Sequence, residues 1–160
     1  MGQQSLSISL KPHTDFANYY AGPNRLVVNT LMHLSPGDFI YVWGAPGLGV
    51  SHLLQACCEA AERDEKRAIY LDLTAHPFVA TELLEGLEAY DLVLIDHIEA
   101  IAGQEAWEHA LFHLYNRCQN TQNRLLIGAH GAPVSLALIL PDLLSRLKAM
   151  LVLQLKPLND

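Results

Sequence analysis

A glycine-rich segment is the part of this sequence best suited to chemistry. Residues 44–51 read GAPGLGVS, with the glycine and hydroxyl positions of the pattern G-x-x-x-x-G-K-[ST]. In such a P-loop, glycines let backbone N–H groups turn towards phosphates, and the N-terminus of the next helix adds the positive end of its dipole. We therefore expect Gly44, Gly47 and Gly49 to surround phosphates of ATP or ADP, and the hydroxyl of Ser51 to bind Mg²⁺.

Val50 stands where this pattern has its lysine. The lysine reaches the β- and γ-phosphates, and a valine can neither donate a hydrogen bond nor neutralise charge. The loop fits two interpretations about equally well: a working nucleotide site, or a strand-to-helix turn that was kept for the fold. We expect any binding of ATP, ADP or Mg²⁺ to be weak.

An acidic residue ends a second apolar segment. Residues 92–96 read LVLID, and Asp96 suits the Walker B role of holding Mg²⁺ through water. Active ATPases of this kind usually carry a second acid next, but here the residue is His97. The sequence favours loss of hydrolysis over a role for His97 as the base.

The remaining histidines and cysteines do not suggest a metal or nucleophile site. His109 and His113 are four residues apart in a helical pattern, but no third ligand is evident beside them, so we predict no metal site. The adjacent Cys57 and Cys58, with Cys118, match neither a zinc pattern nor a disulfide framework.

Short apolar runs alternate with helical patterns along the chain. The runs are 39–43, 68–73, 92–96, 124–129 and 150–155, and the helical patterns between them are 51–63, 78–90, 105–119 and 141–147. Continuous apolarity is typical of strands in parallel sheets, which are buried on both faces. We predict an α/β fold with a five-stranded parallel sheet flanked by helices, preceded by an amphipathic helix at 25–34. The glycine-rich loop then lies at the carboxyl end of the sheet, where such folds bind ligands.

Composition limits the other possibilities. A chain of 160 residues suffices for one domain with a hydrophobic core. The net charge of −7 and the ten Lys and Arg residues leave no basic patch, so direct sequence-specific DNA binding is not expected. No apolar stretch of membrane-spanning length and no signal peptide is evident, so we expect a cytoplasmic location and no membrane contact.

Several motifs, in order, resemble one family. Residues 15–24 (DFANYYAGPN) resemble the entry motif T-F-D-N-F-V-x-G-x-N of DnaA-type domains, and residues 91–105 resemble their Walker B segment. Three further segments are similar to Hda-like members: 107–117 (WEHALFHLYNR), 140–147 (LPDLLSRL) and 155–158 (LKPL). The chain is identified as a member of the DnaA/Hda-like AAA+ family, with a P-loop base domain at 14–160 and a flexible arm at 1–13.

The resemblance implies a nucleotide at a subunit interface. Carried over by motif, the phosphate loop is Gly44, Gly49 and Ser51, and the Walker B acid is Asp96. Arg146 is then the arginine finger that reaches the γ-phosphate of a neighbouring subunit.

The sequence departs from the family mainly at the nucleotide chemistry. Val50 replaces the lysine, and residues 128–131 (GAHG) lack the usual Asp-Arg pair of sensor 1. The helical lid with its sensor-2 arginine and the helix-turn-helix of DnaA are expected to be missing. These departures favour a domain that does not hydrolyse ATP itself.

The arm carries a short motif of its own. Gln3, Leu6 and Ile8 resemble the clamp-binding peptide Q-L-x-L-P-L of Hda-like proteins. In such a peptide, the glutamine hydrogen-bonds at the rim of a pocket that the two apolar side chains fill.

The function that the resemblance implies is regulation of chromosomal replication initiation. Hda-like proteins bind the DNA polymerase sliding clamp (its beta subunit) and stimulate ATP hydrolysis by DnaA, so both are the expected partners. The alternative from the residues is a nucleotide-binding P-loop enzyme, either a reduced ATPase or a kinase for a small substrate.

Overall fold

The predicted strands pair into one parallel sheet in the computed structural model, which describes residues 16–157. The strands are β1 (Phe39–Trp43), β2 (Ala68–Asp72), β3 (Leu92–Asp96), β4 (Arg124–Ala129) and β5 (Leu151–Gln154). Their order across the sheet is β2-β3-β4-β1-β5. This confirms the α/β class and the five-stranded parallel sheet.

The strand register brings the loops of interest to one edge. Trp43 at the end of β1 lies beside Ala129 of β4, and Asp72 at the end of β2 lies beside Asp96 of β3. The segments that follow β1, β3 and β4 therefore leave the sheet next to one another, at its carboxyl edge.

Helices cover both faces of the sheet. They are α1 (Arg25–Met32), α2 (Val50–Arg63), α3 (Glu105–Thr121) and α4 (Pro141–Ala149). Apolar residues of α1 and α2 form one core layer, and those of α3 and α4 form the other. Cys57, Cys58 and Cys118 are buried, and none of the three is in a disulfide. Within residues 16–157, none of the helices is long and apolar enough to cross a membrane.

The α-helix predicted at 78–90 is wrong. The segment between β2 and β3 instead forms three 3₁₀ turns: Leu73–Phe78, Thr81–Leu84 and Leu87–Ala89. Gly86 has a left-handed backbone with φ of +82°, which a continuous helix excludes, and Ala80 is extended. The short turns still bury Leu84 and Leu87, so they satisfy the apolar spacing that suggested a helix.

A buried asparagine ties the beginning of the described chain to its end. Asn24 donates from Nδ2 to the carbonyl oxygen of Lys156 (3.0 Å), and its Oδ1 accepts from the N–H of Lys156 (2.7 Å). Asn24 is the last residue of the entry motif, so that motif has a structural role in closing the domain. The arm residues Gln3, Leu6 and Ile8 lie outside the described residues.

Candidate functional site

The loop after β1 has the backbone of a phosphate-binding turn. Gly47 and Gly49 have φ of +92° and +98°, a left-handed conformation that favours glycine. Gly49 is the N-cap of α2, and Ser51 lies in the first turn of that helix. The N–H groups of a first helical turn have no acceptor within the helix, so this end of α2 can receive an anion.

An aromatic residue from the N-terminal segment covers the outer side of this loop. The ring of Tyr19 lies against Gly49 so closely that a Cβ there would be 2.6 Å from Cε1 of the ring. The hydroxyl of Tyr19 donates to the carbonyl oxygen of Leu48 (3.0 Å). Together with Tyr20 and His52, these residues line an open cleft of about 230 Å³, which is somewhat smaller than usual ligand pockets.

Val50 is a core residue. Its side chain is 3% exposed and packs between α2 and β4. A Cβ on Gly128 of β4 would lie 3.1 Å from Cγ1 of Val50 and 2.9 Å from Cδ2 of Leu54. The position of the P-loop lysine is thus filled by an apolar contact, for which residue 128 must lack a side chain.

Asp96 is enclosed at the end of β3. It is 1% exposed, and its Oδ2 accepts a hydrogen bond from the hydroxyl of Tyr70 on β2 (2.5 Å). Its Oδ1 accepts from the N–H of His97 (2.9 Å). Burial, followed by the negative charge of Asp96, raises the pKa of Tyr70 far above its usual range, so the tyrosine remains a donor.

These contacts decide how well the site fits Mg·ATP. The backbone of the loop fits phosphate oxygens, and Ser51 lies where the pattern requires it. The carboxylate for Mg²⁺, however, already has protein donors on both oxygens, and the buried Val50 offers the phosphates no ammonium group. The residues therefore fit an anion held by backbone N–H groups better than a complete Mg·ATP complex.

His97 forms a charged pair with β2. Its Nδ1 lies 3.0 Å from Oδ1 of Asp72 and 3.7 Å from Oδ2 of Asp96. The hydrogen bond to Asp72 raises the pKa of His97 to about 9, against the opposing effect of burial. Burial acts to raise the pKa of Asp72, but hydrogen bonds from His97 and Thr74 outweigh it and bring that pKa to about 2. A cationic imidazole cannot accept a proton, so His97 is poorly suited to act as a general base at neutral pH.

A second cluster adjoins the first and was missed from the sequence. His97, Glu99 and His130 each offer a ligand atom within 4.8 Å of the other two. The N–H of His130 donates to Oε1 of Glu99 (3.1 Å), and the imidazole rings of the two histidines are 5.3 Å apart.

The sequence held only part of the signal for this cluster. His97 directly follows β3 and His130 directly follows β4, and these strands are neighbours in the sheet. The histidine pair that stands out from spacing along the chain is His109 and His113, whose rings lie 6.4 Å apart on α3.

Arg146 is partly buried and lies against α3. Its Nε donates to Oδ1 of Asn116 (3.3 Å), and its guanidinium carbon lies 5.4 Å from the ring centre of Phe112.

The beginning of α4, the helix that carries Arg146, is held by a buried carboxylate. Glu108 is 0% exposed, and its Oε1 accepts from the N–H groups of Leu140 (2.8 Å) and Ile139 (3.0 Å). Its Oε2 accepts from the N–H of Gly103 (2.6 Å). Glu108 therefore fixes α4 relative to α3, which is a role that its sequence position does not reveal.

Comparison with known proteins agrees with this architecture. The family model of the bacterial DnaA ATPase domain matches residues 10–154. Domain III of DnaA from Thermotoga maritima is 24% identical with a TM-score of 0.80, over 92% of this chain and 69% of that one. AMPPCP-bound DnaA from Aquifex aeolicus is 26% identical with a TM-score of 0.76, over 92% of this chain and 51% of that one.

A further similar structure is of comparable length. A protein from Neisseria meningitidis, solved in solution, is 31% identical with a TM-score of 0.58, over 93% of this chain and 95% of that one. By contrast, the present chain spans about half the length of the DnaA chain from Aquifex aeolicus.

Proposed function

Because the chain belongs to the bacterial DnaA ATPase-domain family, we propose that it regulates chromosomal replication initiation through contacts with DnaA. In this proposal it acts on the ATP bound to DnaA and does not need to hydrolyse ATP itself. The second proposed partner is the DNA polymerase sliding clamp, which the arm with Gln3, Leu6 and Ile8 would bind.

The burial of Val50 carries this proposal. Residue 50 is the position at which the P-loop pattern has the lysine that neutralises phosphate charge. Here Val50 is part of the hydrophobic core and is 3% exposed. Asp96 is engaged by Tyr70, and His97 is held as a cation by Asp72. Groups that a working ATPase uses on its own nucleotide thus stabilise the fold here, which supports a role that depends on another subunit's nucleotide.

Arg146 is the residue that we propose to act on that nucleotide. An arginine finger requires only a guanidinium held at a subunit interface, where it offsets charge that develops on the γ-phosphate. The hydrogen bond to Asn116 and the contact with Phe112 restrict the guanidinium, and Glu108 fixes the helix that carries it. Because the side chain is already restricted, it loses less conformational entropy when the guanidinium binds the γ-phosphate.

We propose that the chain's own loop binds ATP or ADP only weakly. The similar DnaA from Aquifex aeolicus was solved with AMPPCP bound, and the backbone of residues 44–51 keeps the left-handed glycines of a phosphate loop. Without a lysine at position 50, the loop loses one charge-assisted contact to the phosphates and keeps the N-terminus of α2. Such a site suits a regulatory ligand better than a substrate.

The test is the rate of ATP hydrolysis by DnaA from the same organism, with clamp loaded on DNA. The wild-type chain should accelerate hydrolysis, and Arg146→Ala should remove an effect that for such fingers is on the order of a thousandfold. Lys148→Ala is the matched control, because it removes the same charge from the last turn of the same helix.

Two outcomes would contradict the proposal. Equal stimulation by the wild type and Arg146→Ala would exclude the finger, and absence of stimulation by the wild type would exclude the action on DnaA. Hydrolysis of ATP by the chain alone would instead favour a P-loop enzyme.

A further inference from the structure

We propose that His97, Glu99 and His130 form a binding site for a divalent transition-metal ion, specifically Zn²⁺. The site is separate from the proposed action on DnaA and does not depend on it. Each of the three residues offers a ligand atom within 4.8 Å of the others, and Nε2 of His130 is 3.9 Å from Oε2 of Glu99. Zinc bonds of about 2.0–2.2 Å bring ligand atoms to about 3.4 Å from one another, so modest side-chain rotations would close the site.

The backbone brings these residues together before any metal binds. His97 and Glu99 follow β3, His130 follows β4, and the two strands are hydrogen-bonded neighbours. The hydrogen bond from the N–H of His130 to Oε1 of Glu99 joins the two segments. It also leaves Oε2 of Glu99 facing the imidazole of His130.

The partners of the other ring nitrogens are an independent sign of a metal site. Nδ1 of His97 lies 3.0 Å from a carboxylate oxygen of Asp72, and Nδ1 of His130 lies 3.2 Å from the carbonyl oxygen of Gly44. Both partners can only accept, so both Nδ1 atoms carry hydrogen. This leaves Nε2 of each ring as the metal-binding atom. Histidines that bind metals almost always donate their other N–H to such a carboxylate or carbonyl, which orients the ring.

The donor set selects the ion. Two imidazoles and one carboxylate are the ligands of many zinc sites with an open fourth position, which water or a small anion can take. Mg²⁺ prefers oxygen ligands and usually keeps several waters, so this site is chemically distinct from a Walker B site at Asp96. Zn²⁺ competes with the proton for Nε2, and at His97 the neighbouring Asp72 favours the proton.

The test uses the full, untagged chain, from which a chelator has first removed bound metal. This protein is then titrated with ZnCl₂ alone. Calorimetry and elemental analysis after dialysis should give one ion per chain, and Co²⁺ should give the absorption bands of a tetrahedral site. His130→Ala should weaken Zn²⁺ affinity by more than about a hundredfold, which exceeds the loss from removing an outer partner.

Two variants keep this test decisive. Glu99→Gln retains the size of the side chain and an oxygen that can accept from the N–H of His130, so this variant should fold but lose Zn²⁺ binding. It therefore tests the site even if His130→Ala is unstable. His109→Ala/His113→Ala removes a neighbouring pair of histidines on α3 and should bind Zn²⁺ like the wild type.

Three results would contradict the proposal. It is overturned if the wild type binds no Zn²⁺ at micromolar concentrations. It is equally overturned if folded His130→Ala and Glu99→Gln bind Zn²⁺ like the wild type, or if binding is lost only in the α3 double variant.

Discussion

The hydroxyl of Tyr70, in the middle of β2, donates to Oδ2 of Asp96, at the end of the neighbouring strand β3, across 2.5 Å. Both side chains are buried, so the carboxylate that the sequence suggests for Mg²⁺ is stabilised by the protein itself. A metal at Asp96 would have to compete with this bond.

Replacing Tyr70 should therefore cost stability. Tyr70→Phe leaves a buried carboxylate oxygen without its donor, and we expect the free energy of unfolding to fall by about 1–3 kcal/mol. Urea denaturation measures this, with Tyr20→Phe as the control because Tyr20 is 72% exposed. Similar midpoints for the two variants would show that the bond contributes little.

Restoring the lysine should strengthen nucleotide binding. Val50→Lys adds a charge-assisted contact worth about 1.5–3 kcal/mol, or roughly ten- to a hundredfold in affinity. Titration calorimetry with Mg·ADP compares it with Val50→Met, a side chain of similar reach without charge. Micromolar or tighter binding by the wild type would show that Val50 does not limit nucleotide affinity, as would equal affinities of the two variants.

Glu108 should be essential to the arrangement of α3 and α4. In Glu108→Gln, an NH₂ group replaces one of the oxygens that accept from Gly103, Ile139 and Leu140. We expect a loss of at least about 2 kcal/mol in the free energy of unfolding. Glu105→Gln makes the same chemical change in the first turn of the same helix, at a side chain that is 78% exposed. Equal stability of the two variants would show that Glu108 is replaceable.

The arm should bind the sliding clamp. A short peptide with few anchors pays an ordering cost, so we expect micromolar affinity, and Leu6→Ala should weaken it severely without changing the thermal stability of the domain. Surface plasmon resonance with immobilised clamp measures this, and Ser5→Ala changes the same arm at a position outside the motif. If deletion of residues 1–10 leaves clamp binding intact, the arm has no such role.

Local patterns in the sequence were enough to predict the sheet and the loop. Runs such as 92–96 are apolar on both faces, which only a buried strand of that length satisfies well. The glycines of residues 44–51 are required by backbone angles within the loop itself. The same kind of argument was wrong at 78–90, because apolar spacing does not distinguish one helix from successive 3₁₀ turns that are interrupted at Gly86.

What the sequence determined by itself is therefore local: where strands lie, which turn needs glycine, and which side chains are available for chemistry. Only the tertiary structure decided what several of those side chains do. Val50 became a core residue because Gly128 leaves space for it on β4, and His97 and Glu99 met His130 because β3 pairs with β4. These contacts join residues far apart in the chain, and strand order, which local hydrophobic periodicity does not encode, is what brings them together.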